Sequence, residues 1–150
     1  MKFCQAKRGR TFILRLEDGE ILHEVIEEFA RRHNIQAGYI IVVGGADKGS
    51  TLVVGPENEE ASPIPPLTHR LEDVSETAGV GTLFPDEEGN PLLHVHLACG
   101  REDRTVTGCG RTGLKVWKIL EIILVELTDT EAFRKFDPVT GFSLLEPEKP

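Results

Sequence analysis

Apolar positions recur with two different periods along the chain. Residues 11–16, Thr-Phe-Ile-Leu-Arg-Leu, alternate apolar with polar and predict a strand. Immediately afterwards Ile21, Leu22, Val25, Ile26, Phe29 and Ala30 fall on one face at helical spacing. Asp18 is the candidate N-cap of this helix, with acidic residues in its first turn. Arg31, Arg32 and His33 complement the helix dipole in its last turn, and Asn34 is the expected stop.

The remainder predicts mostly strands. Residues 37–47 read as a buried strand ending in a tight Gly44-Gly45 turn, and residues 49–55 as the next strand. Residues 56–66 hold four prolines and three glutamates and form an exposed loop. Too little chain lies on either side of it to make two cores, so residues 1–150 read as a single domain. Strands are predicted at 68–76, 79–84, 92–99, 104–110 and 114–127, with a helix as the competing reading of the last. Thr128 and Glu131 fit a capping box, which predicts a short C-terminal helix broken at Asp137-Pro138. The tail, residues 146–150, is expected to fray. One principal helix packed on an antiparallel sheet makes the class α+β.

Charge narrows the partners. The formal net charge of −8 repels phosphate backbones, so direct nucleic-acid binding is disfavoured. No apolar run is long enough for a bilayer span, and the first ten residues lack a signal-peptide core. A cytoplasmic location without membrane contact is expected. Three cysteines, an odd number, fit a reduced compartment with thiols free to act as ligands.

Chemistry concentrates in the hairpin 92–110. His94 and His96 share one face of their strand. A two-residue turn at Arg101-Glu102 sets Gly100 opposite Asp103, His94 opposite Cys109 and His96 opposite Thr107. Two imidazoles and a thiol then form one patch, a donor set that suits zinc and also other divalent transition metals. Three protein ligands leave a fourth position for water or substrate. The plain alternative is an exposed His-x-His beside a cysteine that only fills space. A one-residue slip would turn Cys109 away. Cys99 is off parity and should face the other side; Cys4 is too remote in sequence to place.

The chain resembles the PPC domain (plants and prokaryotes conserved domain), as a stand-alone prokaryotic member without an AT-hook. The resemblance runs from "GRTFILRL" to "FDPVTGF". It includes "VGGAD", "RLEDVSETAG", "PLLHVHLA" and "TGCG", the last where the family usually has Gly-Gly-His. It implies a homotrimer built on an antiparallel sheet of about seven strands with flanking helices. It also implies a metal held by His94 and His96, with Cys109 in place of a third histidine.

Other segments have plainer readings. "KRGRT" (7–11) is similar to an AT-hook core but lacks the following proline, and ordinary strand entry is preferred. Arg70 and Glu72 match a partner-binding segment of plant relatives, yet Asp73 and Glu76 replace its apolar residues. A solvated strand is expected there, with Glu72 a weak candidate for a catalytic general base if it flanks the metal. "VVGGAD" lacks the spacing of a phosphate loop. Tyr39 and Trp117 are expected in the core or at subunit contacts. His23, His33 and His69 read as solvated, with His69 a weak candidate for supporting a metal ligand. Arg134 and Asp137 are expected to pair or to fix the tail; Arg134 binding an anion near the metal is the alternative.

Two functional hypotheses follow. One is a homotrimeric metal-binding domain, holding zinc or another divalent transition metal, that serves as a regulatory or assembly module for an unidentified protein partner. The other is a zinc-dependent enzyme acting on a small-molecule ligand through a metal-bound water. DNA binding ranks below both.

Overall fold

The computed structural model describes residues 1–147. These form strands β1 (Lys7–Glu17), β2 (Ala37–Ala46), β3 (Thr51–Pro56), β4 (Pro66–Arg70), β5 (Ser75–Pro85), β6 (Pro91–Arg101), β7 (Arg104–Cys109), β8 (Val116–Thr128), β9 (Phe133–Asp137) and β10 (Phe142–Glu146). The helix α1 spans Leu22–His33. Eight strands make one sheet in the order β1-β8-β2-β5-β6-β7-β3-β4, and β10-β9 form a separate hairpin. The main sheet therefore has eight strands where about seven are expected.

The helix forms where its periodicity places it. Leu22, Ile26 and Ala30 are fully buried. They join Leu93, Val95 and Leu97 of β6, and Leu120, Ile122 and Leu124 of β8, in the principal core. Each large side chain so buried contributes about 1.5–3 kcal/mol. Asn34 ends the helix in the left-handed conformation (φ 54°), its N–H reaching the Ala30 and Arg31 carbonyls. Asp18 is not the cap. Ile21 occupies that position, and the Leu22 N–H donates to the Leu114 carbonyl (3.0 Å). Asp18 instead accepts the Lys118 N–H (2.7 Å).

Three further expectations are corrected. Gly44-Gly45 is no turn: β2 runs through it, with a bulge against β8 between these two residues. A Cβ at Gly44 would stand 2.5 Å from the Ile119 carbonyl oxygen, so the close approach requires glycine. The chain reverses afterwards, at Lys48-Gly49. The predicted strand 68–76 is interrupted at 71–74, and Glu72 lies in that exposed bend. The C-terminal helix is absent among the described residues. The Thr130 hydroxyl accepts the Ala132 N–H (3.2 Å) in a local turn, and the chain continues into β9 and β10. Of the predicted frayed tail, residues 148–150 lie outside the described residues.

Candidate metal centre

Register across the sheet sets the site. Ile13, Ile123, Ile41, Val80, His96 and Cys109 follow one another across six neighbouring strands. All of them face away from α1. Ile13 is 86% and Val80 64% exposed, so this face carries apolar side chains with no covering layer among the described residues. The β6–β7 turn is Glu102-Asp103, with Glu102 at φ 55°. That is one residue later than expected, which changes every pairing by two and leaves the faces intact. Cys109 consequently opposes His96, not His94.

His94, His96 and Cys109 bring one ligand atom each within 4.8 Å of one another. The two Nε2 atoms are 3.1 Å apart, with the rings nearly perpendicular at 81°. Two nitrogens bound tetrahedrally to zinc at about 2.0–2.1 Å would lie about 3.3 Å apart, so little movement separates this pair from a chelating one. The imidazole of His94 is pushed down to about 4, first by burial and then by electrostatic repulsion from Arg134, His96 and Arg111. At neutral pH it is uncharged and keeps a lone pair for a metal. The donor set fits zinc. When bound, such an ion supplies Lewis-acid polarisation of a ligand oxygen.

A cavity of about 1000 Å³ opens at this cluster because β7 is short. Past Cys109, β6 runs back to Pro91 on one side and β3 continues to Pro56 on the other. The free edge of β6 is partly closed by Glu27 of α1, whose carboxylate accepts the Leu93 N–H (2.9 Å). Over the face carrying His94 lies the β9–β10 hairpin. It delivers Arg134, which is only 6% exposed and lines the cavity. Arg134 donates to the Thr82 hydroxyl (2.8 Å) and the Ser143 carbonyl (3.2 Å), and its Nε has no partner. Thr82 is the cross-strand neighbour of His94. Burial lowers the guanidinium from its ordinary range, with nearby Cys109 acting the other way.

Other expected residues are distributed differently. Glu72 and His69 do not line the cavity. His23 does, with a buried Nδ1 that has no hydrogen-bond partner. His33 packs on the Phe29 ring at 4.2 Å. Cys99 is buried in the core on the opposite face, as parity requires, and Cys4 sits 3.4 Å from the Thr130 hydroxyl. Tyr39 and Trp117 are exposed, which removes them from the core. Arg134 and Asp137 do not pair: Asp137 accepts the Thr140 hydroxyl (2.7 Å) and holds the β9–β10 turn. Arg10 in the hook-like segment is engaged by Glu126 through Nε (2.8 Å) and Nη2 (2.7 Å).

Residues 4–128 match the Plants and Prokaryotes Conserved (PCC) domain. The chain belongs to this family. A curated relative is the bifunctional protein GlmU of Synechococcus sp. strain JA-3-3Ab, 32% identical over 141 residues, 93% of this chain and 21% of that protein. A second Synechococcus GlmU is 28% identical, over 89% of this chain and 19% of its own length. This chain thus spans about a fifth of the length of these curated relatives. Among solved structures, a metal-containing protein of Archaeoglobus fulgidus is 26% identical with a TM-score of 0.81, covering 96% of this chain and 98% of the other. A plant- and prokaryote-conserved protein of Pyrococcus horikoshii shares the fold, at 24% identity, TM-score 0.81 and full coverage of both chains.

Thr82 and His23 escape a linear reading of the site, and Arg134 enters it only as an alternative anion binder without a position. Arg134 lies in Phe-Arg-Lys-Phe, which lacks strand alternation and reads as part of a short helix, so nothing local places it over the site.

Proposed function

We propose that this PCC-domain protein is a homotrimeric metal-binding module, holding zinc or another divalent transition metal on His94, His96 and Cys109, in a regulatory or assembly role. The observation that carries the reading is the convergence of three donor atoms, within 4.8 Å of one another, on one sheet face. The metal-containing Archaeoglobus relative supports it. Self-association is supported by the uncovered row Ile13, Ile123, Ile41 and Val80 on the same face. The number of copies rests on the family resemblance.

The cavity beside the donors favours a second reading, a zinc-dependent enzyme acting on a small molecule. Of the two carboxylates on its lining, Glu27 accepts the Leu93 N–H (2.9 Å) and Glu59 is exposed on the 57–61 loop, so neither is aimed at the donors by a contact. The acidic net charge argues against DNA binding. No described helix is long and apolar enough to cross a membrane; a cytoplasmic location remains part of the proposal.

The test is metal analysis of the full chain purified without chelators, beside His94→Ala and Cys109→Ala, with sedimentation to count subunits. One equivalent of metal per chain, lost in both variants, and a trimeric mass are expected. A metal-free parent protein contradicts the site, and a monomer contradicts the assembly.

A further inference from the structure

A guanidinium buried without a countercharge is costly, and Arg134 is such a group. None of the ion pairs among the described residues includes it. Its carbonyl and hydroxyl partners leave Nε buried without a partner, and the residue lines the cavity. Thr82 accepts one of its N–H groups, so the threonine's own O–H is free to donate. Arg111, also on the cavity wall, adds a second positive charge, 5.9 Å from the Phe142 ring. Two acidic residues share the lining: Glu27 is held by the Leu93 N–H, and Glu59 is exposed on the 57–61 loop. Val53, Leu92, Phe142 and Leu144 supply apolar walls.

We infer that this cavity seats a small organic carboxylate, its oxyanion on the Arg134 guanidinium and the Thr82 hydroxyl, its apolar body against Val53, Leu92 and Phe142. Charge-assisted bonds from a guanidinium edge match a carboxylate in strength and geometry. A phosphate presents more oxygens than one edge and one hydroxyl can satisfy. The volume is in the range of about 300–1,000 Å³ typical of small-molecule sites. The inference deepens the metal reading, since the same cavity borders His94, but Arg134 defines the anion seat whether or not an ion is held.

Hexanoate and its neutral analogue hexan-1-ol are titrated calorimetrically into the full chain, both as purified with its metal and after chelation. Hexanoate is expected to bind at least about tenfold more tightly than the alcohol in both forms. Arg134→Gln should abolish that difference, and Arg134→Lys should weaken hexanoate several-fold. Equal affinities, no hexanoate binding, or a preference surviving in Arg134→Gln would overturn the inference. Should Arg134→Gln fail to fold, an Arg134→Lys variant binding hexanoate as tightly as the parent overturns it equally. Absent metal with a persisting hexanoate preference defeats the metal reading alone; bound metal without the preference defeats the carboxylate seat alone.

Discussion

The two faces of β6 put the same alternation to opposite uses. Leu93, Val95, Leu97 and Cys99 lie beneath the helix in the closed core. His94 and His96 point the other way, toward Cys109, Arg134 and a cavity. Two buried cysteines illustrate the difference. Cys99 accepts a hydrogen bond from the Thr77 hydroxyl (3.4 Å), and burial pushes its thiol up. Cys109 is also buried but stands beside two imidazoles. A cysteine's burial alone does not separate filler from ligand; the parity of its strand position does.

Substitution on each face should separate them most sharply. Leu97→Ala beneath the helix is expected to cost about 2–5 kcal/mol in denaturant unfolding while leaving bound metal unchanged. Ile41→Ser on the open face should change the stability of a dissociated chain by less than about 1 kcal/mol, yet shift sedimentation toward monomer. A large stability loss from Ile41→Ser in the dissociated chain would mean that the open face packs within the chain.

The cysteines provide the next contrast. Cys99→Ser should lower stability by about 1–2 kcal/mol and retain metal. Cys109→Ser should reverse the pattern, losing metal with little effect on the unfolding of metal-free protein. Matched behaviour of the two variants in metal content would erase the proposed distinction.

Acid should unfold the faces in different windows. For metal-free protein, His94 is lowered from 6.5 to about 4, so the unfolded chain binds the extra proton first and stability falls as pH drops through that interval. His94→Gln should flatten this part of the profile. Glu126, at the helix end of the core, is held below its ordinary 4.5 chiefly by hydrogen bonds from Arg10. Its contribution is present above the unfolded value and is lost only as pH falls through the lower folded one. Glu126→Gln should therefore change the profile only at the acidic end. The readout for both is the denaturation midpoint measured across pH.

The helix and the shared face of His94 and His96 were legible because each follows from a local period, the Asn34 stop from its residue type, and Cys109 from the parity of the hairpin register. The face survived the misplaced turn because moving a two-residue turn by one position changes the pairing by an even number. The capping pattern at Thr128–Glu131 misled because Thr130 closes a different local bond, and Asp137 with Gly141 (φ 76°) then turns the chain into a hairpin. Gly44-Gly45 resembled a turn for a related reason: glycine permits either a reversal or a bulge, and only the Trp117–Ile119 partner segment decides. Arg134 was nameable but not placeable, since its position depends on how that hairpin lies over β5.

The most direct test of the metal centre is X-ray absorption at the edge of whatever metal accompanies the untreated full-length protein. Two imidazole nitrogens and one sulfur are predicted, at about 2.0–2.1 Å and about 2.3 Å if the metal is zinc, with a further light atom completing the shell. A spectrum without sulfur, or protein without stoichiometric metal, contradicts the account.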